Sequence, residues 1–226
     1  MKQAVGFHSR RPLCNVSIGL YLIAVWLTGT TAQAQSSAPL PDFSCSTFLP
    51  DMSQDDLVAR FGSENVVAMP ILGGGSEGDY NEGTVLFAES KDSRVEIFWK
   101  DRAAKRSPEW IRVEGGQTRW RSPVGITLGT DLKTVERLNG RPFRLAGFGF
   151  DGAGAVLSWA GGRLEALSGS QCLLKFWLRP TDSRVDDPTR ERLANQVAKD
   201  ANYSSGHPAI QALNPRVYLM MLVYGR

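Results

Sequence analysis

Histidine and cysteine are scarce in this chain, which has two histidines and three cysteines among 226 residues. His8 lies close to the amino terminus, so His207 is the one histidine available to a catalytic site in the body of the chain. Ser-His or Cys-His catalysis needs a base within hydrogen-bond reach of the nucleophile. The sequence lacks a Gly-x-Ser-x-Gly nucleophile elbow and the ligand spacing of a zinc site. It therefore implies no metal, no cofactor and no His-dependent hydrolase.

Long apolar runs are also lacking. Residues 18–27 form the main apolar stretch, which is shorter than the roughly 20 residues that cross a bilayer core. Lys2, Arg10 and Arg11 precede this stretch, and an Ala-Gln-Ala sequence at residues 32–34 follows it. A basic start, a short apolar run and a small-x-small site are typical of a secretory signal peptide. We predict a signal peptide over residues 1–34.

The chain has no excess of charge once this segment is removed. The complete sequence has 26 Lys and Arg against 23 Asp and Glu, a net charge of +3, and the predicted signal holds three basic residues and no acidic one. A neutral mature chain offers no electrostatic reason to bind nucleic acid or an anionic membrane. We expect a periplasmic or secreted protein without stable membrane insertion, whose partner is another periplasmic or envelope protein.

Two cysteines remain after removal of the signal, because Cys14 lies within it. Paired cysteines in an oxidising compartment usually form a disulfide, so Cys45 and Cys172 are predicted to be bonded. The alternative is two separate buried thiols. Neither cysteine directly follows the apolar stretch, so we expect no lipid anchor.

Helix and turn signals divide the rest of the chain. Residues 35–42 are small and polar and predict a flexible leader. Ser53 and Asp56 suit a capping box at the start of a helix that ends at Gly62. Strands are predicted over residues 84–87 and 94–100. The Gly-Gly pair at residues 115–116 predicts a hairpin that joins strands over 110–114 and 117–121.

A similar order of elements follows. A second helix begins near Thr130 and ends at Gly140, and strand-like blocks follow at residues 154–159 and 163–165. The order indicates two copies of a helix plus a hairpin, over about residues 43–121 and 122–180. A helix opened by Asp187 and Pro188 and an internal strand over residues 217–224 complete the chain.

The fold class predicted from these signals is α+β. Residues 43–226 would form a single domain, with an antiparallel sheet built from the two copies and helices packed on one face. The segment 181–226 would add its helix and strand to the same layer.

One pair of carboxylates suggests an enzyme. Asp151 and Glu165 lie near several tryptophans, and paired carboxylates beside aromatic rings are typical of glycan hydrolysis. The alternative function is therefore a glycan or cell-wall hydrolase. Charged residues of hairpins more often lie on the solvated face, and tryptophans in strands are more often core residues.

The leading hypothesis is a non-enzymatic binding or protein-interaction domain. Residues 147–152 combine glycine with aromatic side chains, which suits close backbone approach and a surface for a partner. Phe148, Phe150 and Trp159 are the predicted binding residues.

Residues 139–151, Asn-Gly-Arg-Pro-Phe-Arg-Leu-Ala-Gly-Phe-Gly-Phe-Asp, resemble a stretch shared by uncharacterised exported bacterial proteins. The resemblance extends to the Asn-Pro-Arg-Val-Tyr sequence at residues 214–218 and implies no activity or site residue. The paired helix-then-sheet plan is similar to that of the beta-lactamase inhibitor protein and of the small lipoprotein of outer-membrane assembly. Those proteins bind other proteins through a sheet or loops, and likeness of layout does not by itself assign a function.

Overall fold

The computed structural model describes residues 39–72, 80–149, 153–180, 188–199 and 201–225. The predicted signal peptide and residues 35–38 of the leader lie outside these ranges, as do Phe150, Asp151 and Asp187. The described helices are α1 (Gln54–Phe61), α2 (Leu132–Asn139), α3 (Pro188–Gln196) and α4 (Pro208–Leu213). The described strands are β1 (Val66–Leu72), β2 (Tyr80–Leu86), β3 (Val95–Asp101), β4 (Arg106–Glu114), β5 (Arg144–Ala146), β6 (Val156–Ser158), β7 (Cys172–Arg179), β8 (Asn202–Ser204) and β9 (Arg216–Tyr224).

Helix α1 begins as the sequence predicts. The backbone N–H of Ser53 donates a 2.8 Å hydrogen bond to the carboxylate of Asp56, and the N–H of Asp56 donates to the Ser53 hydroxyl. This reciprocal pair satisfies donors that the first turn of a helix leaves unbonded. Gly62 follows the last residue with a φ of 89°, a conformation that favours glycine.

Six strands form the main sheet in the order β1-β2-β3-β4-β9-β7, and each neighbouring pair is antiparallel. Strand β9 lies between β4 and β7, which confirms the predicted internal strand near the carboxyl end. Strands β1 and β7 are the two edges.

The predicted hairpin at residues 115–116 is wrong. Strand β4 pairs with β3 on one side and with β9 on the other, so no position is left for a strand over residues 117–121. Trp120 enters the core, and its indole Nε1 donates a 2.7 Å hydrogen bond to the Ser93 carbonyl. Trp120 therefore lies in the core and not in a strand beside β4.

A second sheet has three short strands in the order β6-β5-β8. Strand β6 lies within the strand-like block predicted at residues 154–159, but it pairs with β5, which was not predicted. Residues 163–165, the predicted partner, lie in a 3-10 helix, Arg163–Leu167, so the second hairpin is wrong. The two proposed copies therefore differ in structure, and the internal repeat is not confirmed.

The main core lies between one face of the six-stranded sheet and the helices. Buried residues of α1, α2 and α4 join the inward residues of the strands in this core. A smaller apolar cluster of Ile71, Val85, Phe98 and Trp110 lies apart from it. Helices over an antiparallel sheet confirm the α+β class.

Candidate functional site

Trp159 belongs to the core of the protein. Its side chain is 8% exposed, and its ring centroid lies 5.2 Å from that of Phe143 and 5.9 Å from that of Phe176. Phe148 is partly buried against the same core, and Phe150 lies outside the described residues. Core packing accounts for the positions of Trp159 and Phe148. The structure therefore gives no support of its own to the predicted binding face, which stays a sequence-based prediction.

Glu165 lies exposed on the rim of a hollow between β6 and β7. The hollow has a volume of about 330 Å³ and includes Trp159 and Lys175 in its lining. Asp151, the other carboxylate of the hydrolase hypothesis, lies outside the described residues. Among the described lining residues Glu165 is the single carboxylate, so this geometry does not favour two-carboxylate hydrolysis.

Backbone groups of β7 beside this hollow already have partners. The N–H of Leu174 donates to the Ser168 hydroxyl at 3.2 Å, and the carbonyl of Cys172 accepts from Gly169 at 2.8 Å. The N–H of Leu178 donates to the carbonyl of Gly154 at 2.9 Å. This edge of the sheet is therefore largely satisfied by the chain itself.

His207 caps helix α4. Its Nδ1 accepts a 3.2 Å hydrogen bond from the backbone N–H of Ala209, and its ring meets that of Tyr203 edge-on at 5.7 Å. These contacts give the histidine a structural role. The described residues contain no group of His, Cys, Asp and Glu side chains that could hold a metal ion.

The predicted disulfide is confirmed. Cys45 and Cys172 are bonded, with their Cα atoms 5.8 Å apart and a sequence separation of 127. The bond ties the segment before α1 to the first residue of β7. Two separate thiols, the alternative, are excluded.

The stretch that carries the bacterial resemblance has a structural explanation in its described part. Asn139 is buried, and its Nδ2 donates to the carbonyls of Arg141 at 2.9 Å and Trp159 at 3.0 Å. Gly140 ends α2 in the left-handed conformation. Gly147 leaves space for the carbonyls of Val197 and Lys199, both of which an added Cβ would overlap.

Strand β1 is the most open edge of the main sheet. The amide of Phe87 donates a 2.8 Å hydrogen bond to the carbonyl of Asn65, and the same register continues through β1 and β2. In an antiparallel pair the backbone groups of alternate residues point away from the partner. The C=O groups of Val66, Ala68 and Leu72 and the N–H groups of Ala68 and Leu72 therefore point outward, whereas the N–H of Val66 already donates to the carbonyl of Ser63.

Pro70 has the same outward orientation as Ala68. Proline has no N–H, and an edge strand tolerates it where the missing donor would face solvent. Within the described chain β1 pairs with β2 alone. Among the described residues, this row of backbone groups faces no other strand, and it is interrupted by Pro70 and by the bonded N–H of Val66.

The side chains of β1 are apolar and partly exposed. None of the residues in its Val-Val-Ala-Met-Pro-Ile-Leu sequence is charged. Val67 is 41% exposed, Leu72 is 43% exposed and Tyr80, opposite Leu72, is 71% exposed. Edge strands usually carry charges that prevent pairing with other chains, and here Pro70 is the one such device.

The central strands of the sheet differ from β1 because arginine side chains cover their aromatic rings. The rings of Phe98 and Trp110 stack with centroids 5.2 Å apart. The guanidinium of Arg102 lies 4.6 Å from the Phe98 centroid, and that of Arg112 lies 5.1 Å from the Trp110 centroid. Cations thus cover the apolar surface at β3 and β4, while Val67 and Leu72 of β1 remain 41% and 43% exposed.

A second hollow of about 400 Å³ lies at the start of β1. Val67, Met69 and Ala88 give it apolar walls, and Glu64 and Glu89 lie on its rim. Both carboxylates are exposed. The free strand edge and this hollow together form the candidate site, which we call the β1 edge.

Comparison of the chain with protein families, curated proteins and solved structures finds no match. The resemblance to exported bacterial proteins and to two-repeat folds therefore stays a prediction. In the described part of the chain no helix has the length and apolar character to span a membrane.

Sequence reasoning missed the β1 edge. The signal was present as a run of seven apolar residues between Asn65 and Gly73, with a proline inside it. An apolar run that contains proline is typical of an edge strand. Its free edge became evident only from the order of strands in the sheet.

Proposed function

We propose that the protein is an exported, non-enzymatic interaction domain that binds an extended segment of a partner protein along the β1 edge. The observation that carries this proposal is the uncharged edge strand with outward backbone groups. Addition of a strand to such an edge is an established mode of peptide recognition, in which main-chain hydrogen bonds supply affinity and alternate side chains supply specificity.

One face of an added strand would lie beside the hollow at the start of β1. Side chains on one face would contact Val67, Met69 and the hollow beside them, because these residues share one face of β1. Their partial exposure leaves apolar area that a partner strand could bury, and such burial is favourable. The missing N–H of Pro70 removes one hydrogen bond and favours partners whose register tolerates that gap.

The export part of the proposal is supported by a separate observation. The disulfide between Cys45 and Cys172 is typical of proteins that mature in an oxidising compartment, and the predicted signal would direct the chain there. We propose that the mature chain begins near Gln35 and meets a periplasmic or envelope partner. Intact mass of the exported product tests this step, since a product that retains residues 1–34 contradicts it.

A proline at position 68 gives a sharp test of the strand-addition mechanism. Because the N–H of Ala68 points outward, Ala68→Pro removes an edge donor without removing a hydrogen bond to β2. Ala68→Ser is the matched control, since serine keeps that donor. Both variants keep the circular dichroism of the parent if the edge is free.

Tyr80 is a suitable position for a photoreactive phenylalanine analogue, because its side chain is exposed and lies opposite Leu72. In cells that export the protein, this position should give discrete cross-linked species with another protein. The species should persist with Ala68→Ser and disappear with Ala68→Pro. Equal cross-linking in both variants contradicts strand addition, and an analogue at Leu49, 50% exposed and outside the site, measures non-specific contact.

A further inference from the structure

We infer that the β1 edge selects an antiparallel partner strand whose basic side chains follow its apolar residues. This inference rests on the proposed function and adds the charge and the direction of the partner. It is carried by an asymmetry among the described residues at the two ends of β1. Two carboxylates without an ion pair among the described residues lie at its start, and the carboxylate near its other end is paired with a lysine.

The start of β1 is acidic. Glu64 and Glu89 are exposed beside the hollow, and none of the described residues that line it is basic. The ion pairs of the described chain involve Glu82 and Glu96 and neither of these two carboxylates. Glu64 accepts one hydrogen bond, at 3.1 Å, from the side-chain amide of its neighbour Asn65. Both carboxylates are therefore available to a cation from a partner.

The described residues at the far end of β1 have a different arrangement of charges. Glu82 pairs with Pro70 in the sheet register, and its carboxylate lies 3.0 Å from the ammonium of Lys105. Arg102 donates a 3.0 Å hydrogen bond to the side chain of Asn81. Of the described residues at this end, the carboxylate of Glu82 already has a cation, so they favour a basic side chain less than the start of β1 does.

The direction of the partner strand determines where its basic residues must lie in its own sequence. A strand antiparallel to β1 places its carboxyl end beside Val66 and therefore beside Glu64 and Glu89. Antiparallel pairing is slightly more stable per residue than parallel pairing and continues the pattern of the whole sheet. The partner is thus expected to have alternate apolar residues followed by lysine or arginine.

Three synthetic peptides test the rule directly. All three contain three Thr-Val repeats and have blocked ends and a fluorescent label. The first ends in Gly-Arg-Arg, the second begins with Arg-Arg-Gly, and the third ends in Gly-Glu-Glu. Binding to the full chain is measured by anisotropy at low salt. Exposed ion pairs contribute modestly, so the peptide with carboxyl-terminal arginines should bind about three- to tenfold more tightly than the other two. That advantage should shrink at about 0.5 M salt.

Substitution of the two carboxylates identifies their role. The double variant Glu64→Gln/Glu89→Gln should bind all three peptides with equal affinity. Glu109→Gln/Glu191→Gln removes the same charge from exposed positions elsewhere and should keep the preference.

The outcomes separate this inference from the proposed function. If all three peptides bind equally and Ala68→Pro abolishes binding, strand addition stands and the charge rule is wrong. If the amino-terminal arginines give tighter binding, the direction is wrong. If no peptide binds, or if Ala68→Pro leaves binding unchanged, both the rule and the proposed function are contradicted.

Discussion

The indole Nε1 of Trp99 donates a 2.8 Å hydrogen bond to the hydroxyl of Thr84, and both residues are at most 1% exposed. The same hydroxyl donates to the Oε1 of Gln54 at 2.7 Å. A single threonine of β2 therefore connects β3 to the first residue of α1. Because a buried polar group without a partner is costly, this contact fixes how α1 sits on the sheet.

Thr84→Val should lower the free energy of unfolding by about 1–3 kcal/mol, because it leaves the Trp99 donor and the Gln54 acceptor without partners at nearly unchanged volume. Guanidinium denaturation of the oxidised protein measures the loss. Adding Trp99→Phe to this variant should cost less than the same change in the parent, since the donor is then already unpaired. A Thr84→Val variant as stable as the parent contradicts the role of this hydrogen bond.

Removal of the disulfide should destabilise the protein strongly. Cys45 and Cys172 close a loop with a sequence separation of 127, and loss of a native disulfide typically costs about 2–5 kcal/mol. Denaturation of Cys45→Ser/Cys172→Ser beside the parent tests this. Reductant should destabilise the parent and leave the double variant unchanged, and a parent that resists reductant without loss of stability would argue against the bond.

Acid should weaken the start of α1 through Asp56. Hydrogen bonds from the backbone N–H and the hydroxyl of Ser53 lower the pKa of the Asp56 carboxyl below its ordinary value. A carboxyl with a lowered pKa in the folded state stabilises that state above its unfolded pKa of about 4. This stabilisation is lost as the pH falls through the folded pKa.

The variant Asp56→Asn should therefore lose less stability than the parent as the pH falls from neutral to below the ordinary carboxyl pKa of about 4. Thermal melting at a series of pH values measures the difference. Hydrogen bonds from the Ser93 and Ser90 hydroxyls also lower the pKa of Asp92, so part of the acid dependence should remain in the variant. Parallel profiles for the two proteins contradict the role of Asp56.

Asn139 should be intolerant of substitution for a structural reason. Besides its two donated hydrogen bonds, its Oδ1 accepts from the backbone N–H of Leu164 at 3.3 Å. Asn139→Leu leaves these buried backbone groups without a partner and should cost about 2 kcal/mol or more. Asn139→Asp should be destabilising as well, because a carboxylate oxygen would replace the amide donor that bonds the Arg141 and Trp159 carbonyls. Mild effects on the melting temperature in both variants contradict this account.

Local chemistry made the helix ends predictable. Ser53 and Asp56 form the capping box that their spacing predicts, and Gly140 has the positive φ of 82° expected at the end of α2. The start of α2 was misplaced by one residue, since Asp131 caps the helix in place of Thr130. Such features depend on contacts within one turn of the chain.

Strand partners and the candidate site could not be predicted in this way. The neighbour of β4 is β9, more than a hundred residues later, so the Gly-Gly pair at residues 115–116 ends a strand without turning a hairpin. Residues 163–165 match a strand by sequence, but the Asn139 side chain takes the N–H of Leu164 and a 3-10 turn forms. The free edge of β1 likewise follows from the strand order of the whole sheet, which no local pattern encodes.

Amide hydrogen exchange of β1, followed residue by residue, tests the central claim most directly. In the free protein the amide of Ala68 should exchange much faster than those of Val67 and Met69, whose N–H groups face β2, and it should become protected when the arginine-ended peptide binds. An Ala68 amide as slow as its neighbours in the free protein, or one that the bound peptide leaves unprotected, would contradict the account of β1 as an open edge that receives a partner strand.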